Sequence, residues 1–368
     1  MSTENNLTTT DGVVTYLSST PFCAESIEKL AGGTTNFVFR VKLKTPFEGR
    51  KTVVVKHGRA ITISGLDEPL EFSADRQNFE VGVLQRAHKH LPTNAGVVIP
   101  AILFHDAPNH FIVMDDAGPG TLTLKQRILD GTVTPEQATT IGKELAIFLA
   151  RLHDWGTQDT ESRTWMAANV IARKVAAYST YGRIERTLDG PSSPPSVRDP
   201  PLRAAFSQEV QETVTEVVRV RIDQTMNDEG IVTMGDVWPG NMLVRDDGSV
   251  MLVDWEMAKN NHPGFDVGQL LGDLRVLLHW RPDRRDLVEP LIRAILTTYA
   301  RHRGDGDWLS IAASHVGVHL VSWGPWIPYP EVNPDGLRSL VGHGIHLIYD
   351  GYKQNWNPET LAERVLRV

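Results

Sequence analysis

Hydrophobic residues in the first part of the chain occur in short runs that favour β-strands. Turn signals such as Gly32-Gly33 separate these runs. One longer stretch, 75–90, has helical spacing instead, because Phe79, Val83 and Ala87 recur on one face. The strand-like runs span residues 26–30, 37–43, 51–57, 97–104 and 111–114. The pattern predicts a small β-rich lobe with five strands and one helix.

Beyond residue 115 the pattern becomes helical. Residues 135–153 form a strongly amphipathic segment that begins at Thr134-Pro135. Similar spacing occurs at 265–279, 286–302 and 309–321. The proline-rich stretch 190–196 predicts a surface loop without regular structure. We therefore expect an α+β fold with two lobes: a small, antiparallel β-rich lobe over residues 1–115, and a larger, mostly helical lobe over residues 116–368.

A loop and a hairpin in the second lobe carry the strongest chemical signal. Asp236 and Asn241 lie five residues apart, and two short strand-like runs around the turn 246–248 then lead to Asp254. Since a β-hairpin brings its two ends together, these three side chains can converge to hold Mg²⁺ and to orient a hydroxyl for phosphoryl transfer. The alternative is an ordinary turn around Pro239-Gly240, but the hairpin spacing of Asp254 favours the site.

Two further pieces of a phosphoryl-transfer site occur upstream. Lys56 ends the apolar run 53–55, and a lysine at the inner end of a buried strand requires an anionic partner, which Glu80 on the predicted helix can supply. Gly32-Gly33 lies in a turn between strands, where glycines let backbone N–H groups approach phosphates. Taken singly, an exposed Lys56 or a plain glycine turn explains each observation as well.

Composition excludes several classes of function. The 368 residues carry 37 Lys and Arg against 45 Asp and Glu, a net charge of −8, so the basic surface of a nucleic-acid-binding protein is not expected. The single cysteine, Cys23, excludes an intrachain disulfide and a zinc site built from cysteines. The apolar runs are too short for a membrane span, and the N-terminus lacks a signal pattern. We expect a cytoplasmic monomer with no membrane partner.

These motifs together resemble the small-molecule kinases of the aminoglycoside phosphotransferase, choline kinase and methylthioribose kinase superfamily. The resemblance covers nearly the whole chain and rests on residues 32–41, Lys56, the spacing of Arg76 and Glu80, Leu152-His153, residues 235–241 and Asp254-Trp255-Glu256. The loop Met-x-Asp-x-Trp-x-Gly-Asn and the Asp-Trp-Glu motif are similar to those of the fungal 4-hydroxytryptamine kinases of psilocybin biosynthesis. The resemblance implies a bilobal, protein-kinase-like fold and ATP and Mg²⁺ as cofactors. It also implies that the lobe over residues 1–115 binds the nucleotide and that the lobe over residues 116–368 is catalytic and binds the substrate.

The resemblance also implies roles for individual residues. Asp236 would be the catalytic base, Asn241 and Asp254 would bind Mg²⁺, and Glu256 is an additional candidate ligand. Lys56 and Glu80 would form the nucleotide-binding ion pair. The remaining nucleotide-binding candidates lie in two segments. Gly32, Gly33, Thr34 and Asn36 would belong to the phosphate-binding loop. Met114, Asp115 and Ala117 would belong to the hinge between the lobes, where backbone groups would form hydrogen bonds with adenine.

Two further positions bear on the assignment of Asp236 as the catalytic base. Most of the superfamily has histidine two residues before the catalytic aspartate, and this chain has Met234, which can fill the same space. Asp266 matches an acidic residue that follows the metal-binding loop in the superfamily and is expected to brace the catalytic loop.

The acceptor is expected to be a small molecule. Asp266 and the next helix follow twelve residues after Asp254, which leaves no room for the activation segment of a protein kinase. Trp238, Trp323 and Trp326 are candidates for walls that bind a flat ring or an ammonium group, although most tryptophans are expected in the core. The leading hypothesis is a hydroxylated aromatic amine such as 4-hydroxytryptamine.

Several alternatives remain open. The acceptor could instead be the hydroxyl of a sugar, amino alcohol or aminoglycoside, or the chain could be an inactive nucleotide-binding protein. The paired spacings of His315 with His319 and of His343 with His346 resemble those of metal ligands. Without nearby carboxylate signatures, packed or surface histidines are the better explanation.

Overall fold

A computed structural model describes residues 6–30, 36–63, 70–92, 96–190, 193–227 and 229–367. The strands of the described part are β1 (Ala24–Lys29), β2 (Asn36–Phe47), β3 (Arg50–Gly58), β4 (Ile61–Ile63), β5 (Leu70–Phe72), β6 (Val97–Val98), β7 (Ile102–Asp106), β8 (Phe111–Asp115), β9 (Leu122–Thr123), β10 (Ile231–Thr233), β11 (Met242–Val244), β12 (Val250–Leu252) and β13 (Lys259–Asn261).

The α-helices of the described part are α1 (Thr10–Leu17), α2 (Arg76–His90), α3 (Leu124–Asp130), α4 (Pro135–Gln158), α5 (Thr160–Met166), α6 (Val170–Ala176), α7 (Arg183–Asp189), α8 (Pro195–Arg198), α9 (Gln208–Met226), α10 (Pro263–Trp280), α11 (Arg285–Arg303), α12 (Trp308–Ser322), α13 (Pro334–Lys353) and α14 (Pro358–Leu366).

The N-terminal part is built on a five-stranded antiparallel sheet with the order β1-β2-β3-β8-β7. Lys56 lies in the central strand β3, opposite Val38 of β2 and Ile112 of β8. Val53 and Val55 of the same strand are fully buried, as expected for a strand covered by other elements. Helix α2 buries Glu80 with its apolar face, so the sheet and the helix bring Glu80 to Lys56.

One predicted strand is wrong in its extent. The run 97–104 is two strands, because Pro100 lacks the N–H group that a continuous ladder requires. β7 belongs to the five-stranded sheet, but β6 pairs in parallel with β12, in a second sheet with the order β6-β12-β11-β9. The hairpin β11–β12 forms as predicted, with Met242 opposite Leu252.

The C-terminal part is mostly helical. Helix α4 begins at a capping box in which Thr134 and Gln137 satisfy each other's backbone N–H groups, with Pro135 in the first turn. It packs against α11, and α12 packs between α10 and α13. The prediction of a loop without regular structure over 190–196 is wrong at its end, because the short helix α8 begins at Pro195, in a first-turn position where no N–H is needed. Residues 191 and 192 lie outside the described residues.

Candidate functional site

A cavity of about 480 Å³ lies between the two parts of the molecule. The loop before β11, the segment after β12 and helices α10 and α12 line most of it. Ile61, Ile63 and Phe72 of the β4–β5 pair and the π-helical turn Ala177–Tyr181 contribute to its walls. A π-helical turn is rare and occurs frequently at functional sites.

Asp236 lies in this cavity and is held from two sides. Gln269 of α10 donates a hydrogen bond of 2.7 Å to its Oδ1, and Asn241 donates one of 2.9 Å to its Oδ2. Burial, followed by the charge of Asp254, raises the pKa of Asp236 to about 7. A carboxylate with a pKa near neutrality and a fixed orientation suits a general base.

The hairpin places Asn241 and Asp254 together, as predicted. The N–H of Val253 donates to the carbonyl of Asn241 over 2.9 Å, which joins the start of β11 to the residue before Asp254. Asp254 has φ +66°, in the left-handed region that few residues other than glycine adopt. Backbone strain of this kind concentrates at functional sites.

Asp266 supports the backbone of the loop that carries Asp236. Its two carboxylate oxygens accept hydrogen bonds of 2.9 Å from the N–H groups of Met234 and Gly235, and His153 Nε2 lies 3.2 Å away. Burial favours the neutral acid, but the contacts with His153 and the Gly235 N–H outweigh it and lower the pKa of Asp266. Met234 is fully buried and packs in the main core.

Lys259, which the sequence did not single out, also contacts this loop. Its Nζ lies 3.4 Å from the carbonyl oxygen of Gly235 and 3.2 Å from that of Met257. Burial lowers the pKa of the Lys259 ammonium.

Lys56 forms the expected ion pair with Glu80 and a second pair with Asp254. The distances from its Nζ are 2.7 Å to Glu80 Oε2, 2.6 Å to Asp254 Oδ1 and 3.6 Å to Glu256 Oε2. Burial works against the charged ammonium, but the three carboxylates outweigh it and raise the pKa of Lys56. The alternative of an exposed lysine is wrong, because Lys56 is 5% exposed.

The donor set at this point fits a divalent cation. Ligand oxygens of Glu80, Asp254 and Glu256 lie within 4.8 Å of one another, and Asn241 lines the same cavity as Asp254 and Glu256. Burial, together with the charge of Glu256, raises the pKa of Asp254, so a cation would relieve repulsion there. Hard oxygen ligands of this kind suit Mg²⁺.

Asn36 connects the phosphate-loop region to the same cluster. Its Nδ2 donates a hydrogen bond of 2.7 Å to Glu256 Oε2, which also accepts one of 3.0 Å from Arg76. Gly32, Gly33 and Thr34 lie outside the described residues.

The predicted hinge includes the last two residues of β8, Met114 and Asp115, and continues to Ala117. Met114 is buried and lies opposite Val54. The side chain of Asp115 accepts hydrogen bonds from Arg50 at 2.5 Å and from the N–H of Ala101 at 2.9 Å. These contacts fix the segment that leads to Ala117, and its binding of adenine stays a prediction.

The three candidate tryptophans do not share one environment. Trp238 and Trp323 line the cavity. Trp326 is 47% exposed and does not belong to the lining of the cavity, so the described structure does not bring it to the site. It lies in the 3₁₀ turn Gly324–Trp326 that follows α12.

Two of the four histidines considered as metal ligands line the cavity and lie near a carboxylate, which the sequence did not reveal. His315 and His319 are buried on α12, and both line the cavity. A carboxylate does lie nearby: Asp273 Oδ2 is 3.2 Å from His319 Nε2. Gln269 and Asp273 follow Asp266 at helical spacing on α10, and this spacing was the signal that could have identified them.

Comparison with known proteins gives consistent matches. The model of the family described as "Phosphotransferase enzyme family" matches residues 26–305. A 4-hydroxytryptamine kinase of Psilocybe cyanescens is 25% identical over 368 residues, which covers 96% of this chain and 96% of the relative.

Solved kinase structures share the fold. Amicoumacin kinase hAmiN in complex with AMP-PNP and Ca²⁺ aligns with a TM-score of 0.52 at 11% identity, covering 95% of this chain and 96% of that chain. The ADP-bound aminoglycoside phosphotransferase APH(2'')-Ib aligns with a TM-score of 0.51 at 12% identity, covering 92% and 99%. These alignments confirm the bilobal, protein-kinase-like α+β fold. None of the helices in the described ranges has the length and hydrophobicity that a membrane crossing requires.

Proposed function

Because the chain belongs to the phosphotransferase enzyme family and is a small-molecule kinase, we propose that it transfers the γ-phosphoryl group of ATP to a hydroxylated aromatic amine such as 4-hydroxytryptamine. The observation that carries this proposal is the position of Asp236 in one cavity with Asn241 and Asp254, beside the Lys56–Glu80 ion pair. The aromatic side chains that line the same cavity suit a flat acceptor.

Asp236 acts on the acceptor. Its carboxylate accepts the proton of the acceptor hydroxyl, while the hydroxyl oxygen forms a bond to the γ-phosphorus and the bond to ADP breaks. Gln269 and Asn241 hold the carboxylate in one orientation through their hydrogen bonds of 2.7 and 2.9 Å. The positioning of Asp236 therefore depends on these two amides.

Lys56, Asn241 and Asp254 act on the nucleotide side. Lys56 binds the α- and β-phosphates and Glu80 keeps its ammonium in place. Asn241, Asp254 and Glu256 would hold Mg²⁺, which neutralises charge on the phosphate oxygens when it is bound. Asn36 supports this arrangement through its hydrogen bond to Glu256.

A panel of acceptors tests the proposal. The purified chain is incubated with ATP and Mg²⁺ and with 4-hydroxytryptamine, methylthioribose, choline or an aminoglycoside, and transfer is measured as ADP release and as a mass increase of the acceptor. We expect transfer to 4-hydroxytryptamine that Asp236→Ala abolishes. Transfer to methylthioribose, choline or the aminoglycoside without transfer to 4-hydroxytryptamine would overturn the acceptor assignment. Nucleotide binding without transfer to any alcohol or phenol would overturn the assignment as a kinase.

A further inference from the structure

A second carboxylate of the cavity has no role in the chemistry described above. Asp273 of α10 is 8% exposed and lines the cavity with Asp236. Among the described residues, the polar group in contact with its carboxylate is Nε2 of His319, at 3.2 Å and without hydrogen-bond geometry. No lysine or arginine of the described residues forms an ion pair with it within 4.0 Å.

The packing of two helices fixes this carboxylate in the cavity. Gln269 and Asp273 are four residues apart on α10, so Asp273 lies one turn, about 5.4 Å, along the same face from the residue that holds Asp236. On α12, His319 approaches Gly272 so closely that a Cβ on the glycine would lie 2.8 Å from that of His319. The carboxylate is therefore confined between rigid elements.

The electrostatics of this position indicate a cationic ligand. A buried carboxylate is costly unless a cation or several hydrogen bonds compensate it. The nearby cation whose pKa responds to the charge of Asp273 is Lys125. Burial lowers the pKa of Lys125 and outweighs the negative charge of Asp273, which acts to raise it. The Lys125 ammonium instead lies 5.0 Å from the centroid of the Tyr329 ring and 5.6 Å from that of Trp238.

The rings of Trp238 and Trp323, which line the cavity, are already in contact with cationic side chains of the protein. Lys125 lies over Trp238, and the guanidinium of Arg183 lies 4.3 Å over the ring of Trp323. An ammonium group of the acceptor would compete with these side chains at either ring. At Asp273, no lysine or arginine of the described residues lies within 4.0 Å, so an acceptor ammonium would compete there with the His319 ring.

We propose that Asp273 determines acceptor specificity by binding the protonated amino group of the acceptor, beside His319 of the adjacent helix. The inference rests on the proposed function, since it assumes that the acceptor occupies this cavity. It selects small aromatic alcohols and phenols in which a protonated amine reaches Asp273 while the hydroxyl reaches Asp236. Neutral aromatic hydroxyl compounds would lack this contact.

Turnover of a matched pair of acceptors tests the inference. The wild type and Asp273→Asn are compared with 4-hydroxytryptamine and with 4-hydroxyindole, which lacks the amine. We expect kcat/KM for 4-hydroxytryptamine to fall about 10- to 100-fold, mainly through KM, because a hydrogen bond to a charged group is lost. The value for 4-hydroxyindole should change less than about threefold, and Asp273→Glu should restore part of the discrimination.

A binding measurement separates this inference from the proposed function. Calorimetry with tryptamine and with neutral 3-methylindole needs no phosphoryl transfer. Tighter binding of tryptamine by the wild type, lost in Asp273→Asn, supports the inference even if no acceptor on the panel is phosphorylated. Equal binding of the two compounds by the wild type, or an equal loss for both in Asp273→Asn, would overturn it.

Discussion

Gln269 donates its side-chain N–H to Asp236 Oδ1 over 2.7 Å, from a helix that begins 27 residues after Asp236. The contact arises because α10 starts directly after the short strand β13, which pairs with β10 immediately before the loop that carries Asp236. Asp266, three residues earlier on the same helix, holds the backbone of that loop. One helix therefore sets both the position of the loop and the orientation of its carboxylate.

Gln269→Leu should lower kcat about 10- to 100-fold, because the hydrogen bond to a carboxylate that must stay oriented is removed. The KM for ATP should remain unchanged, since Gln269 does not contact the nucleotide side. Steady-state kinetics with both substrates varied would measure the two effects. A rise in the KM for ATP with unchanged kcat would contradict the assigned role of Gln269.

Lys56→Met should destabilise the protein by about 3–5 kcal/mol, because it leaves the buried carboxylate of Glu80 without its cation and removes the ammonium that Asp254 and Glu256 share. It should also weaken ADP binding. Urea unfolding and calorimetry would measure these effects, with exposed Lys51→Met on the same strand as the matched control. If both variants behaved alike, Lys56 would not be the centre of the ion-pair cluster.

The sequence predicted the parts of the site that lie on short local motifs. The spacing of Asp236, Asn241 and Asp254 is set by one loop and one hairpin, so it could be read directly from the chain. The Lys56–Glu80 pair could be inferred because an apolar strand that ends in lysine needs a buried partner.

The acceptor side could not be predicted in the same way. Asp273 and His319 meet because Gly272 allows α10 and α12 to approach, and nothing in either segment alone specifies that contact. Trp323 and Trp326 looked equivalent in sequence, but the 3₁₀ turn after α12 leaves Trp326 at the surface.

Gly235→Ala should abolish most activity and destabilise the catalytic loop. Gly235 has φ +78°, and a Cβ there would lie 2.2 Å from the carbonyl oxygen of Met257, which is backbone and cannot move aside cheaply. Gly248→Ala is a matched control, because Gly248 has φ +83° and, apart from its two chain neighbours, no atom of the described residues lies within 4 Å of a Cβ added there. Its cost should be about 1–2 kcal/mol with normal kcat. Equal activity of the two variants would contradict the close approach at Gly235.

His343→Gln should reduce the acid sensitivity of the fold. Burial, with the charges of Arg275 and Arg364, lowers the pKa of His343 to about 3, so below pH 6.5 the unfolded chain binds a proton that the folded chain excludes. As the pH is lowered below 6.5, this group should therefore decrease the free energy of unfolding by up to about 1.4 kcal/mol per pH unit.

Urea unfolding at pH 7.5 and pH 5.0 would measure this difference for the wild type, His343→Gln and the control His346→Gln at an exposed neighbour. The drop between the two pH values should be smaller in His343→Gln by up to about 2 kcal/mol and unchanged in His346→Gln. An unchanged drop in His343→Gln would show that His343 does not contribute to it.

The central claim is that Asp236 and Asp254 carry phosphoryl transfer in a correctly folded protein. The most direct measurement is the rate of phosphate transfer from ATP by the wild type, Asp236→Ala and Asp254→Ala, with Asp247→Ala in the exposed hairpin turn as the control and circular dichroism as the check on folding. We predict that both site variants fold normally and lose at least about 100-fold in rate, while the control keeps the wild-type rate. Transfer at the wild-type rate in either site variant would contradict the account.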